Sequence, residues 1–551
     1  MIRFSRRLFV LLAFVLALHA PARAEERDTL TIGIAEFPSS LHPSLDPLLI
    51  KSYVLGYVLR QVSAFDRTAL RCLVCAELPT IENGQARIVD LPGGGRGMEV
   101  TMKIHPDLKW GDGVPVTAKD VEFTWKIGRD PLSGFSNGLP WNRFSRVDVV
   151  DDKTVMFHLD KVMVNYNQWD HILPAHIEAP AYAQGLGAAE YIRNTTYNRA
   201  PLTPGLWNGP FVITGYQSGA QIVMEPNPHW PGPKPGFKRI VLRLIADTAA
   251  LQANLLSGDI DIANNLTLDQ ALALRKQKPD AFAYSFTPSL TYQHIDMNRD
   301  NPILADIRVR RALLLGIDRK TIVDRLFEGR TPLANAFVSP LDPNNDPGLT
   351  PVAYDPAAAR ALLAEAGWKP GPDGICRNAA GQKLSLDYLA ASGFKVIELI
   401  QQVMQSQWKT ICVETTLKNE PSRTLFGQTT KNRAFTGLVI YSWTSAVTEG
   451  PRRTLFSDQI PTAANNFGGA NFVALNDPAM DADIIAAEGE LDPAKQKVIW
   501  SRMQRRYAEF LPALPLYFNA IPQALPKWLA GFEPGGTGQP FTQGAENWRA
   551  R

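Results

Sequence analysis

The chain has 551 residues, 45% apolar and 20% charged, a balance that supports packed cores and excludes long disordered stretches. Residues 1–24 hold four Arg and no acid, so the remainder carries 53 basic against 54 acidic residues and offers no electrostatic footprint for nucleic acid. About 527 residues lie beyond that segment, more than one hydrophobic core organises, so two or three domains are expected.

At the start, Arg3, Arg6 and Arg7 precede an unbroken apolar run at 8–18, and Ala22-Arg-Ala24 places small residues before Glu25. This layout predicts a secretory signal peptide cleaved after Ala24. The run is 11 residues long, whereas a spanning helix needs about 20. No Cys follows the run to carry a lipid, and no later stretch reaches 18 apolar residues. The mature chain is therefore expected to be an exported, soluble monomer in the periplasm, without a lipid anchor.

Residues 29–35 form a short apolar run that reads as a buried strand, ending in the turn-rich loop 37–43. A helix is expected over 48–65, with Leu55, Val58, Leu59 and Val62 on one face. The stretches 98–104 and 154–159 alternate apolar and polar residues and read as antiparallel strands. Between them, Thr117 caps a helix with Asp120 at the reciprocal position and Val121 and Trp125 on its buried face. Strands follow at 209–214, 221–225 and 240–245, then a helix at 249–256 and a turn and strand at 257–263.

The second half is more helical. Residues 306–316 are amphipathic, and a further helix runs from Asp318 through Leu326. Residues 355–367 carry the clearest helix signature, with Asp355 at the N-cap, Pro356 in the first turn and Gly367 at the stop. Strands at 384–389 and 412–417 flank a helix at 394–408, a βαβ pattern that implies a parallel pair covered by helices. A helix at 498–510 and a strand at 514–518 complete the series.

The four cysteines, Cys72, Cys75, Cys376 and Cys412, are an even set in an exported chain, which favours disulfides. Three pairings are possible. Cys72–Cys75 with Cys376–Cys412 is favoured, because the first is local and the second closes a loop of moderate length. Zinc ligation has little support, since no His lies close to Cys72-x-x-Cys75.

Catalytic patterns do not assemble. Gly134-Phe-Ser136-Asn-Gly138 matches a nucleophile elbow, but flanking prolines at 131 and 140 favour a loop over the strand and helix that motif requires. Glycines at 93–97 lack the Gly-Lys-Ser/Thr ending of a phosphate loop and read as a hairpin turn. His171 and His176 do not have metalloprotease spacing. An exported hydrolase acting on a small polar substrate is the competing class.

Several segments appear together in a characteristic order: Trp110-Gly-Asp-Gly-Val-Pro-Val-Thr-Ala-Lys-Asp-Val-Glu-Phe-Thr124, Asn208-Gly-Pro-Phe-Val-Ile, Glu225-Pro-Asn-Pro-His-Trp230, Gly258-Asp-Ile-Asp261, Val309-Arg-Arg-Ala-Leu, Ile317-Asp-Arg, Tyr354-Asp-Pro and Ala366-Gly-Trp368. In that order they resemble the extracellular solute-binding family of oligopeptide- and dipeptide-binding proteins. The resemblance implies an α/β, two-lobe type II periplasmic-binding-protein fold with crossing hinge strands and an extra subdomain inserted in the first lobe. It places lobe I at 25–65, 200–287 and 513–551, the insert at 66–199 and lobe II at 288–512.

It also implies ligand capture between the lobes and delivery to an ABC transporter permease in the inner membrane. The chain itself would need no cofactor, since ATP is hydrolysed by its partners. The cleft candidates that follow are Phe37, Ser40 and His42 after the first strand, Tyr292 and His294, and the segment carrying Trp443, Thr444 and Ala446, with Glu449 and Arg452 beyond it. Peptide-binding relatives place an Asp three residues after this Trp, where it pairs with the ligand's α-ammonium; here the position is Ala446. Either Glu449 replaces that carboxylate, or the ligand has a blocked amine, or it belongs to another class held by Arg452 or Arg453. Unblocked di- and tripeptides are therefore expected to bind weakly.

Overall fold

The computed structural model describes residues 27–45, 48–66, 69–131, 133–135, 139–183, 188–264, 266–445, 450–465, 467–534 and 541–551. The export segment 1–24, Ser136, Ala446 and Glu449 lie outside the described residues.

Thr29–Ile34 sits inside a five-stranded sheet, parallel to Arg239–Leu244 on one side and Ile262–Ala263 on the other. Leu30, Ile32 and Ile34, which alternate along the strand and so share one face, are fully buried. Gln221–Pro226 and Phe211–Gln217 extend this sheet as an antiparallel pair.

The helix expected over 48–65 is shorter, Leu49–Val58, and the chain then becomes extended. Tertiary partners claim the backbone at that point. Gly209 donates its N–H to the Val58 carbonyl, Arg60 donates to Asn208 Oδ1, and Val62 and Ser63 donate to the carbonyls of Asp170 and Trp169. Gly209 is required there, because a Cβ would lie 2.6 Å from the Val58 carbonyl carbon.

A separate antiparallel sheet has the order Ala86–Asp90, Arg96–Lys103, Thr154–Leu159, Arg146–Asp151, with the helix Ala118–Arg129 packed on it. The Trp110–Thr124 motif is explained by packing. Asp120 accepts the Thr117 N–H and the Ala175 N–H, each at 2.8 Å, and the indole N–H of the fully buried Trp110 at 3.3 Å. The motif therefore locks a helix start to its neighbours.

The third sheet has the order Glu414–Glu420, Ser385–Ala391, Leu438–Thr444, Phe282–Met297, Ala513–Pro526. Its first two strands are parallel and joined through the helix Lys395–Thr410, the βαβ unit expected from sequence. The last two are much longer than the sequence suggests, 16 and 14 residues. Their prolines mask the strand pattern, and Pro288 stands where the pairing register shifts. At one end, Ala524 and Phe282 pack with Leu251, Leu255 and Ile260 from the first half. At the other end, Ile295 and Leu514 enter the core of the second half. The two strands thus run from one core to the other, the two-lobe architecture.

Two motif arginines brace the second half. Arg310 donates to the carbonyls of Leu304, Ala305, Phe510 and Leu511. Arg319 donates to those of Ala334, Val352 and Pro515. Both are 3% exposed, so from inside the protein Arg310 ties helix ends together and Arg319 ties two loop carbonyls to the Ala513–Pro526 strand. The cysteines are paired Cys72–Cys75 and Cys376–Cys412, with Cα separations of 5.5 and 5.0 Å.

Candidate functional site

Side chains alternate along a strand, so Tyr292, His294 and Asp296 project from the same face of Phe282–Met297. The antiparallel neighbour Leu438–Thr444 sets Trp443 opposite Tyr292 and Tyr441 opposite His294. These side chains form one wall of a cavity of about 150 Å³. The helix Pro493–Phe510 supplies Trp500 and Tyr507, a loop supplies Phe337 and Ser339, and the segment after the described gap supplies Arg453.

The wall is tightly organised. The Tyr292 and His294 rings stack 4.7 Å apart, and Tyr441 meets His294 edge-on at 4.6 Å. Tyr441 donates its hydroxyl to Asp296 Oδ2 at 2.5 Å, while His294 Nε2 lies 3.3 Å from Asp296 Oδ1. The hydroxyls of Tyr292 and Tyr507 are 3.1 Å apart. Burial, reinforced by Asp296, raises the Tyr441 hydroxyl well above its ordinary pKa, and burial with the Tyr507 hydroxyl does the same for Tyr292. Both are therefore neutral hydrogen-bonding groups at any physiological pH. Trp443 is half-buried, with the Arg453 guanidinium 5.4 Å from its ring centre.

Of the residues named from sequence, Tyr292, His294, Trp443 and Thr444 line this cavity. Phe37, Ser40 and His42 do not line it. Phe37 packs on Tyr216 and the Ser40 hydroxyl donates to Asn198 Oδ1 at 2.7 Å. His42 is fully buried and internally satisfied. Its Nδ1 accepts the Ser44 N–H, which leaves Nε2 to donate to the Tyr191 hydroxyl, itself donating to Glu178. Burial and then the Lys51 charge hold the His42 pKa well below its ordinary value, in keeping with this neutral tautomer. Arg452 also turns away from the cavity, holding Glu488 with two hydrogen bonds of 2.5 and 2.9 Å.

Arg453, named from sequence beside Arg452 as a possible anchor, lines the cavity, whereas Asp296, Phe337, Tyr441, Trp500 and Tyr507 were not singled out from sequence as site residues. For two of these five a signal existed. Tyr292-x-His294-x-Asp296 and Tyr441-x-Trp443 share the period of a strand, and pairing two such runs brings all five side chains to one face. Trp500 and Tyr507 reach the wall through tertiary packing and carry no local signal.

Among the described residues, no helix is long and apolar enough to cross a membrane, and no His, Cys, Asp and Glu group could hold a metal ion.

Residues 96–457 match the profile of bacterial extracellular solute-binding proteins, family 5, middle part. The oligopeptide-binding protein AppA of Bacillus subtilis is 26% identical over 444 residues, 79% of this chain and 78% of that protein. The probable D,D-dipeptide-binding periplasmic protein DdpA of Escherichia coli is 31% identical over 236 residues, 42% of this chain and 43% of that one. The crystal structure of the oligopeptide binding protein of Thermus thermophilus complexed with a pentapeptide superposes with a TM-score of 0.76 at 28% identity, covering 95% of this chain and 96% of that one.

The chain belongs to the bacterial extracellular solute-binding proteins of family 5. Membership makes it a solute-binding subunit of an ABC importer and not an enzyme, and the hydrolase alternative is not supported.

Proposed function

We propose that this chain captures a peptide-like or other small polar solute in the cavity walled by Tyr292, His294, Trp443 and Thr444, and delivers it to the importer's permease in the inner membrane. The observation that carries this reading is the cavity itself. A paired-strand wall sets flat aromatic faces beside hydroxyl, imidazole and guanidinium groups, the mixture that orients a small polar molecule with an apolar part. The oligopeptide-binding relatives favour a peptide-like ligand. In this reading lobe I comprises 25–65, 200–287 and 513–551, the insert 66–199 and lobe II 288–512. Residues 1–24 direct export and are removed after Ala24, and the mature protein is a periplasmic monomer. Closure of the lobes would report occupancy to the permease.

Native mass spectrometry of protein purified from the periplasmic fraction tests this. The expected result is a bound solute of discrete mass, released on denaturation and unchanged by prolonged incubation with fresh protein. Conversion of that solute to product would overturn the reading, as would an empty protein that binds nothing in a panel of peptides and small polar compounds.

A further inference from the structure

The charges that line the cavity are unequally occupied. Asp296 takes the Tyr441 hydroxyl and faces His294 Nε2. Asp342 accepts the Asn344 N–H at 2.8 Å. Arg452 and Arg453 are neighbours in sequence with opposite fates. Arg452 is committed to Glu488 and lies 3.9 Å over the Phe456 ring, outside the cavity. Arg453 is exposed and lines the cavity beside the Trp443 ring, and among the described residues no carboxylate pairs with it. Its backbone is held, since its carbonyl accepts the Ala470 N–H at 3.2 Å.

We propose that Arg453 anchors a carboxylate of the solute while an aromatic or aliphatic group of the same molecule rests against Trp443, Phe337 and Trp500. The inference depends on the reading of this cavity as the solute site. A guanidinium presents a planar fork of donors that matches a carboxylate with two parallel hydrogen bonds. Contact with the Trp443 face restrains that fork and adds cation–π attraction. A free ammonium brought to the same place meets a like charge, and both acids that line the cavity are engaged, Asp296 by Tyr441 and His294 and Asp342 by the Asn344 N–H. Selection therefore favours acids whose amine is blocked or absent.

Isothermal titration of the full mature protein separates the possibilities, using N-acetylphenylalanine, its C-terminal amide, phenylalanine amide and phenylpropionate. The two acids are expected to bind at least tenfold more tightly than either amide. Arg453→Gln should lower acid affinity at least tenfold and leave the affinity of the uncharged N-acetylated amide unchanged, with Arg453→Lys in between for the acids. Phenylpropionate matching N-acetylphenylalanine points to non-peptide acids, and weaker binding points to peptide acids; either supports the carboxylate anchor. Failure of both acids to bind, equal affinity for acid and amide, tighter binding of phenylalanine amide, or an unchanged Arg453→Gln affinity would overturn it. Native mass spectra of the same preparations keep the two claims apart. A copurified solute without an acidic group, held equally by wild type and Arg453→Gln, defeats the anchor and leaves solute binding standing. An empty protein that binds none of the four probes defeats the anchor, and one that also binds nothing in the wider panel of peptides and small polar compounds defeats both.

Discussion

Tyr441 and Asp296 meet across two neighbouring strands, the tyrosine hydroxyl 2.5 Å from the carboxylate oxygen Oδ2. Both face the same cavity, and the acid is 6% exposed. A hydrogen bond from a neutral donor to a buried carboxylate contributes roughly 1.5–3 kcal/mol. Tyr441→Phe should lower the unfolding free energy by that amount without altering the fold, measured as a lower urea midpoint at unchanged slope. An unchanged midpoint would show that Asp296 does not depend on this hydroxyl.

Arg319 offers a larger effect. Replacing it with Leu leaves the carbonyls of Ala334, Val352 and Pro515 without their donor. The Ala334 and Pro515 carbonyls are buried, and each unsatisfied buried group costs about 1–3 kcal/mol, so a total loss of roughly 2–6 kcal/mol is expected. Arg319→Lys should recover part of it, since one ammonium can reach some but not all of the three acceptors. Urea unfolding of the two variants checks the order.

The two disulfides should differ in weight. Cys376–Cys412 spans 36 positions, whereas Cys72–Cys75 spans three. Restricting the larger loop in the unfolded chain stabilises by roughly 2–4 kcal/mol, so the double change Cys376→Ala with Cys412→Ala should cost about that much and more than Cys72→Ala with Cys75→Ala. Non-reducing peptide mapping that links Cys72 to Cys376 would contradict the pairing.

Alkaline pH should unfold the protein through its buried tyrosines. Burial is the largest cause of the raised hydroxyl pKa at Tyr292, Tyr388 and Tyr441, each well above the ordinary 10.0. Above about pH 10 the unfolded chain releases these protons while the folded chain keeps them, so the unfolded state binds fewer protons and stability falls as pH rises. The contribution is fully present below about pH 10 and is lost above it, at more than about 1 kcal/mol per pH unit for each tyrosine. Urea unfolding between about pH 8 and about pH 11 should show a flat region and then a decline. A urea midpoint that stays flat from about pH 8 to about pH 11 would contradict it.

Local signals carried most of the fold. The capping pair Thr117 and Asp120, the Asp355-Pro356 helix start and the βαβ unit at 385–420 all emerged as read. What was not legible depends on distant partners. The helix after Leu48 stops at Val58 because Asn208 and Gly209, about 150 positions away, take the next backbone groups. The strand Phe282–Met297 hides behind Pro288, and its partner Ala513–Pro526 lies over 200 residues on. The site divides the same way. Tyr292, His294 and Trp443 came from the family resemblance, whereas Arg453 differs from Arg452 in surroundings that adjacent positions in a sequence cannot reveal. His42 shows the converse, a polar residue in a loop after a strand whose partners are all internal.

Isothermal titration of the solute released from the native protein, into wild type and Trp443→Ala, tests the central claim most directly. Loss of the indole removes a flat apolar face from the cavity wall and the ring that restrains Arg453. Affinity should fall about tenfold or more, equivalent to about 1.4 kcal/mol, while the circular dichroism spectrum and urea midpoint stay close to those of wild type. An affinity unchanged in Trp443→Ala, and unchanged again in His294→Ala, would mean that the solute binds elsewhere.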